Sequence, residues 1–254
     1  MTELNLKPSA ASLPQSKPIP TESVLKPWIF NYAPSPDGND LNLLIFFHGL
    51  GDTKKSFSDL GKKLNLPGTA VLALQAPDPI PLLEHPAFSW YNTFTQFFEP
   101  LPNPNPTTVI PPLRKLIENL ISPEIGWSLT SIHLFGFAQG GTTALELALD
   151  LAKRFGSVTS ICAPLLASIS SNLHLHTPIC YFTRQDQRSA VAQKQIKNVQ
   201  RTFDHVDIIQ GHVGRAEDMP RGQDEWTGIM KFWGGVLVKS EGWKGGGEVF
   251  EVMR

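Results

Sequence analysis

The sequence predicts a mainly parallel central sheet with helices on both faces, and three observations predict it. Short apolar runs recur at 43–47, 70–74, 131–135, 158–162, 179–183 and 206–209. Most are apolar at every position, as strands buried on both faces are. Helix-period segments separate them. The strand-then-helix order repeats, which favours parallel strands joined by crossovers.

The elements follow in order. The runs Leu43 to Phe47 and Ala70 to Leu74 give the first two strands. The Pro-rich stretch Pro100 to Pro112 reads as a rigid connector or a lid edge before a helix at Leu113 to Leu120. After the strand at Ser131 to Phe135, the segment Gly141 to Phe155 is apolar except at Glu146, Asp150, Lys153 and Arg154. Helical spacing puts those four on one outer stripe, and Gly156 supplies the stop. Strands at Val158 to Cys162, Ile179 to Thr183 and Val206 to Ile209 follow, with Ala192, Ile196, Val199 and Phe203 marking a helix between the last two. Trp226, Ile229, Met230, Trp233 and Leu237 recur at i, i+3, i+4, i+7 and i+11, so the last helix should lay an aromatic stripe on the sheet.

A chain of 254 residues fits a single domain, expected over 21–239. Residues 1–20 are Pro- and Ser-rich and expected to be disordered, and 240–254 form a Gly-rich tail whose VFEVM run could pair as a short strand. The 22 Lys and Arg balance 23 Asp and Glu, which argues against nucleic acid as a partner. No stretch approaches the roughly 20 apolar residues of a membrane span, and the opening lacks the apolar core of a secretory signal, so a cytoplasmic protein without integral membrane association is expected. Cys162 and Cys180 sit in apolar runs and read as buried thiols rather than as a disulfide or metal pair.

Chemistry in such a sheet gathers at the carboxyl ends of the strands. His48-Gly49-Leu50-Gly51-Asp52 follows the first strand, and its glycines allow a tight loop with N–H groups turned into a cleft, or only a turn. Gly136-Phe137-Ala138-Gln139-Gly140-Gly141 lies between a strand and a long apolar helix. That strand-turn-helix context is where G-x-S-x-G forms a nucleophile elbow.

The loop HGLGDT, the Trp90 of Ser89-Trp90-Tyr91 and the sequence GFAQGG together resemble the phospholipase/carboxylesterase family, which includes acyl-protein thioesterases, over about 43–237. The resemblance implies an α/β-hydrolase fold. It implies oxyanion donors at the N–H groups of Leu50 and Gln139, a pocket lined by Trp90, and a nucleophile at position 138. The family reads GFSQGG there, whereas this chain carries Ala138. A methyl group has neither a lone pair nor a proton to give a base, so acyl-enzyme formation is closed at that position. Thr142 and Thr143 lie a turn into the helix, where such hydroxyls bond back to carbonyls.

For the rest of the triad the resemblance implies Asp186, after the strand ending at Thr183, although a solvated aspartate in a turn is the alternative. The family's histidine precedes the last helix; counting back thirteen residues from Phe232 reaches Met219, and counting from the last strand reaches Ala216. His212 is the nearest imidazole, as a displaced base or a surface histidine in Gly211-His212-Val213-Gly214. His133 reads as a hydrogen-bonded core side chain, and His48 as a brace of its loop. His85, His174, His176 and His205 show no metal-ligand pattern, and no cofactor or metal is expected.

Two defects, at the nucleophile and at the base, lead to a hydrolase-like protein that is catalytically impaired, a pseudoenzyme. Its expected role is to hold a small acyl or ester-like ligand or a lipidated peptide, helped by the aromatic run Phe88, Trp90, Tyr91, Phe94, Phe97 and Phe98. The alternative is a serine carboxylesterase or thioesterase seen in a Ser to Ala form, or one using another nucleophile.

Overall fold

The structure, a computed structural model, describes residues 6–8, 16–81, 83–95, 97, 99–239 and 250–252. The elements in chain order are β1 (Leu6–Pro8), β2 (Phe30–Ala33), β3 (Asn42–Phe47), α1 (Lys54–Leu64), β4 (Thr69–Leu74), β5 (Asp78–Pro79), β6 (Phe88–Ser89) and α2 (Ile110–Leu120). They continue with β7 (Ile132–Phe137), α3 (Gln139–Leu151), β8 (Ser157–Ile161), β9 (Ile179–Thr183), α4 (Ala190–Thr202), β10 (Val206–Gln210), α5 (Gly222–Val236) and β11 (Phe250–Val252).

Seven strands form the central sheet in the order β10-β9-β8-β7-β3-β4-β2. All neighbours are parallel except β2, which runs antiparallel to β4. Every predicted apolar run is a strand of this sheet, and the five interior strands are buried almost throughout. The edge strand β2 escaped the sequence reading because Phe-Asn-Tyr-Ala is short and half-buried.

Alternate side chains of each strand feed two cores. Leu43, Ile45, Phe47 and Leu72 pack with Leu113 of α2, Leu145 of α3 and Val199 of α4. Leu44, Phe46, Val71 and Phe135 pack with Phe57 of α1 and with Ile229, Phe232 and Trp233 of α5. The aromatic stripe of α5 therefore does lie on the sheet, and the Trp233 indole N–H reaches the Thr159 hydroxyl at 3.1 Å. Both cysteines are buried free thiols.

Two element readings need correction. Helix α3 stops at Leu151, where Ala152 takes the left-handed cap at φ 48°, four residues before Gly156 and short of Lys153 and Arg154. Glu146 does not face solvent with Asp150. It is 8% exposed, and one carboxylate oxygen accepts the N–H groups of Leu166 and Ala167, both at 2.8 Å. Those two N–H groups belong to a loop with no ladder partner, and the carboxylate satisfies them.

The expected disordered opening and Gly-rich tail fall mostly on residues 1–5, 9–15 and 240–249, outside the described residues. Within what is described, β11, from the VFEVM run, pairs antiparallel with β1. No helix among the described residues is long and apolar enough to cross a membrane.

Candidate active site

Ala138 joins β7 to α3 with φ 48° and ψ −118°. That backbone region is costly for any residue with a Cβ, on the order of 1–3 kcal/mol, and persists only where the surroundings enforce it. The enforcement is visible on all sides. The Ala138 N–H donates to the Ile161 carbonyl at 3.0 Å, tying the bend to the end of β8. A Cβ at Gly136 would come within 2.2 Å of the Gly140 carbonyl oxygen, and one at Gly140 within 2.2 Å of the Phe47 carbonyl oxygen. Strand, helix and the end of β3 thus meet at distances that only glycine permits.

The loop after β3 is braced from behind by His48. Its Nε2 accepts the Ala76 backbone N–H at 3.0 Å and the Gln75 side-chain amide at 2.9 Å, while its Nδ1 faces the Gly49 carbonyl at 2.8 Å. Two donors on Nε2 leave the proton on Nδ1, and burial lowers the pKa, so this ring is neutral. The Trp90 indole N–H donates to the His48 carbonyl at 2.7 Å.

Gln139 fastens the elbow to the aromatic segment. Its Oε1 accepts the Trp90 backbone N–H at 3.0 Å, and its Nε2 donates to the Tyr91 carbonyl at 2.9 Å. Among the described residues the backbone N–H groups of Leu50 and Gln139 have no acceptor. These are the two N–H groups that the family resemblance implies as oxyanion donors, and Gly140 packed on the Phe47 and His48 carbonyls keeps their loops together.

Beside Leu50 opens an apolar groove of about 910 Å³, walled by Ile80, Pro81, Leu83, Thr93 and Phe94. Trp90 is not part of it. The indole is fully buried, packs on Phe47 with ring centres 5.1 Å apart, and lines a separate cavity of about 400 Å³ with Trp28 and Phe88. Trp90 braces the donor loop, and the groove wall comes from the residues around it.

The hydroxyls near the bend are occupied. Thr143 donates to the Gln139 carbonyl at 2.9 Å and Thr142 to the Pro164 carbonyl at 2.8 Å. The Cys162 thiol, one strand from the elbow, is pushed up to about 11 by burial and then by Glu217, so it is not a thiolate at neutral pH.

The expected acid and base are not brought together. Asp186 is exposed and accepts the Arg188 backbone N–H at 2.9 Å. His212 follows β10, and its Nε2 lies 2.7 Å from Asp224. No hydrogen bond links Asp186 to His212 among the described residues. The register reached by counting does arrive over the strand ends, but it brings backbone: the Cys162 thiol donates to the Asp218 carbonyl at 3.6 Å, and Arg184 to the Met219 carbonyl at 2.9 Å.

A buried ion pair missed in the sequence organises this loop. Arg184, directly after β9, forms two hydrogen bonds of 2.5 and 2.7 Å to Glu225 of α5. Glu225 also accepts the N–H groups of His212 and Arg221, at 2.9 and 2.6 Å. Burial alone would raise its pKa, yet Arg184 and these two N–H groups hold it down to about 2. A charged residue just past an apolar strand was the available signal, and in a segment already rich in polar residues it did not stand out. Arg184, His212, Arg215, Asp218, Arg221 and Asp224 line a cavity of about 580 Å³ here.

The chain is similar to known hydrolases in sequence and in fold. Residues 33–215 match the model of a family described as phospholipase/carboxylesterase. An uncharacterised hydrolase of Mycosarcoma maydis is 32% identical over 246 residues, covering 93% of this chain and 92% of the relative. An uncharacterised hydrolase of Schizosaccharomyces pombe is 28% identical over 191 residues, covering 73% and 79%. Among solved structures, Zea mays acyl-protein thioesterase 2 superposes with a TM-score of 0.62 at 17% identity, covering 83% of this chain and 99% of that one. At that identity the likeness speaks for the α/β-hydrolase fold.

Proposed function

The chain belongs to the phospholipase/carboxylesterase family, and from that premise we propose that it binds an acyl ester or thioester, or a lipidated peptide, without turning it over. One observation carries the reading: the elbow keeps its strained backbone at Ala138, and two unpaired N–H donors flank a side chain that cannot attack a carbonyl. The donors of Leu50 and Gln139 suit a carbonyl oxygen. The apolar groove beside Leu50 suits the acyl chain, whose transfer from water contributes about 0.8 kcal/mol per buried CH₂. The absence of an Asp186 to His212 bond is a second, independent reason to expect no general base.

A specific observation also favours a second reading, hydrolysis of acyl esters by a form carrying serine at 138: the elbow geometry such a serine needs is retained.

Titration with methyl dodecanoate, followed by indole fluorescence, tests the first reading. Saturable binding that Phe94→Ser weakens about tenfold is expected. Absence of saturation, or binding indifferent to Phe94, would count against it.

A further inference from the structure

The acyl-ligand reading leaves the aromatic cavity of about 400 Å³ unused. It opens between the segment Pro27 to Ile29, the end of β4, the β5–β6 ladder and the start of α2. Its walls are fixed from outside: the Phe88 carbonyl accepts the Gly51 N–H at 2.9 Å, and the Ala87 carbonyl accepts that of Ile80 at 2.8 Å. The indole N–H groups of Trp28 and Trp90 are both engaged, with the carbonyls of Pro112 at 3.3 Å and His48 at 2.7 Å. The Gln75 amide is likewise spent, its oxygen on the Lys54 N–H at 3.2 Å and its nitrogen on the His48 ring at 2.9 Å. What these side chains leave to the cavity is carbon surface.

Asp78 is the one charged residue on the wall. It is exposed, and its carboxylate has no hydrogen-bond or ion-pair partner among the described residues. The Thr108 hydroxyl is the other uncommitted polar side chain of the wall.

We propose that this cavity is a site for a small alkylated ammonium ion, held by Asp78 and the rings of Trp28 and Phe88. The site stands apart from the acyl-binding reading. Its inventory of groups decides between ligand classes. An anion would meet a carboxylate and no cation on the wall. A hard divalent cation needs about six oxygen ligands, where the wall's uncommitted side chains offer one carboxylate and one hydroxyl. A primary ammonium is compact and strongly hydrated, and giving up that water takes more acceptors than the wall holds. An alkylated ammonium fits on each count. Its methyl groups pack on Pro27, Pro77 and Pro112, aromatic rings attract its charge, and Asp78 supplies the counter-charge. The volume lies within the roughly 300–1,000 Å³ of small-molecule sites.

Choline and neohexyl alcohol, in which carbon replaces the quaternary nitrogen, separate charge recognition from apolar burial. The Trp28 indole N–H of the full chain, followed by NMR, is the readout. Choline should shift it saturably and bind about tenfold more tightly than the alcohol. Asp78→Asn, at an exposed position, should bring choline down to the alcohol's affinity and leave the alcohol's unchanged. Phe88→Leu keeps an apolar wall without a π face and should weaken choline roughly threefold more than the alcohol. Equal affinities in the parent chain, a choline preference that survives Asp78→Asn, an equal loss of both probes in Phe88→Leu, or no saturation with either probe overturns the site. None of these outcomes bears on acyl binding, which methyl dodecanoate reads separately.

Discussion

Arg184 and Glu225 bridge the end of β9 to the first turn of α5 through two short hydrogen bonds, with side chains 1% and 3% exposed. The pair also collects the 211–221 loop, because Arg184 donates to the carbonyls of Asp218 and Met219 while Glu225 accepts from His212 and Arg221. Glu225→Gln should therefore cost on the order of 3–5 kcal/mol, since it strands a buried guanidinium. Replacing both residues by apolar side chains of similar volume should recover most of that loss. Urea midpoints of the single and double variants check this, and a single variant as stable as the parent would refute it.

Stability should fall as the pH drops from about 6.5 to about 4. His133 is buried between the Ser157 hydroxyl and the Asn42 amide oxygen, and burial pushes it down to about 4. With a folded pKa below the unfolded one, the unfolded chain binds the extra proton. The contribution is thus complete above 6.5 and lost as the pH falls to 4, by about 3 kcal/mol. His48 shifts in the same direction. Glu225, also depressed, adds a further loss from about 4.5 towards 2. Denaturant midpoints at pH 7, 5.5 and 4.5 give the slope, and a flat profile would contradict it.

Gln139→Ala should loosen the segment that walls the apolar groove. The side chain ties Trp90, Tyr91 and Thr93 to the elbow, so its loss costs roughly 1–3 kcal/mol by leaving buried groups unpaired. Faster hydrogen exchange at the Trp90 amide, with weaker binding of methyl dodecanoate, is the expected pair of changes. Unchanged exchange at that amide would show that the clamp is unimportant.

The sheet was legible because its strands are apolar on both faces, and the elbow because tight glycine contacts leave a fixed sequence mark. Side chains whose roles depend on distant partners were not. Periodicity put Glu146 outside, since it cannot register the two loop N–H groups that draw the carboxylate in. Trp90 sat in the expected segment, yet its indole turns to the His48 carbonyl behind the donor loop. The Arg184 to Glu225 pair joins residues 41 positions apart, beyond any local pattern.

Ala138→Ser tests whether the missing hydroxyl is the only defect. With His212 bonded to Asp224 and the 218–219 backbone over the strand ends, no general base is expected for the new serine. Hydrolysis of p-nitrophenyl and thioester acyl substrates should rise by less than about tenfold. A rise of several orders of magnitude, abolished by His212→Ala, would mean that His212 swings to the elbow.

The most direct measurement is to incubate the unaltered chain with a molar equivalent of a dodecanoyl thioester and follow protein and ligand together by intact mass spectrometry. Saturable complex formation with the thioester recovered whole, and no acyl mass added to the chain, is the expected result. An acyl adduct on any residue, or release of the free thiol with turnover, would contradict binding without catalysis.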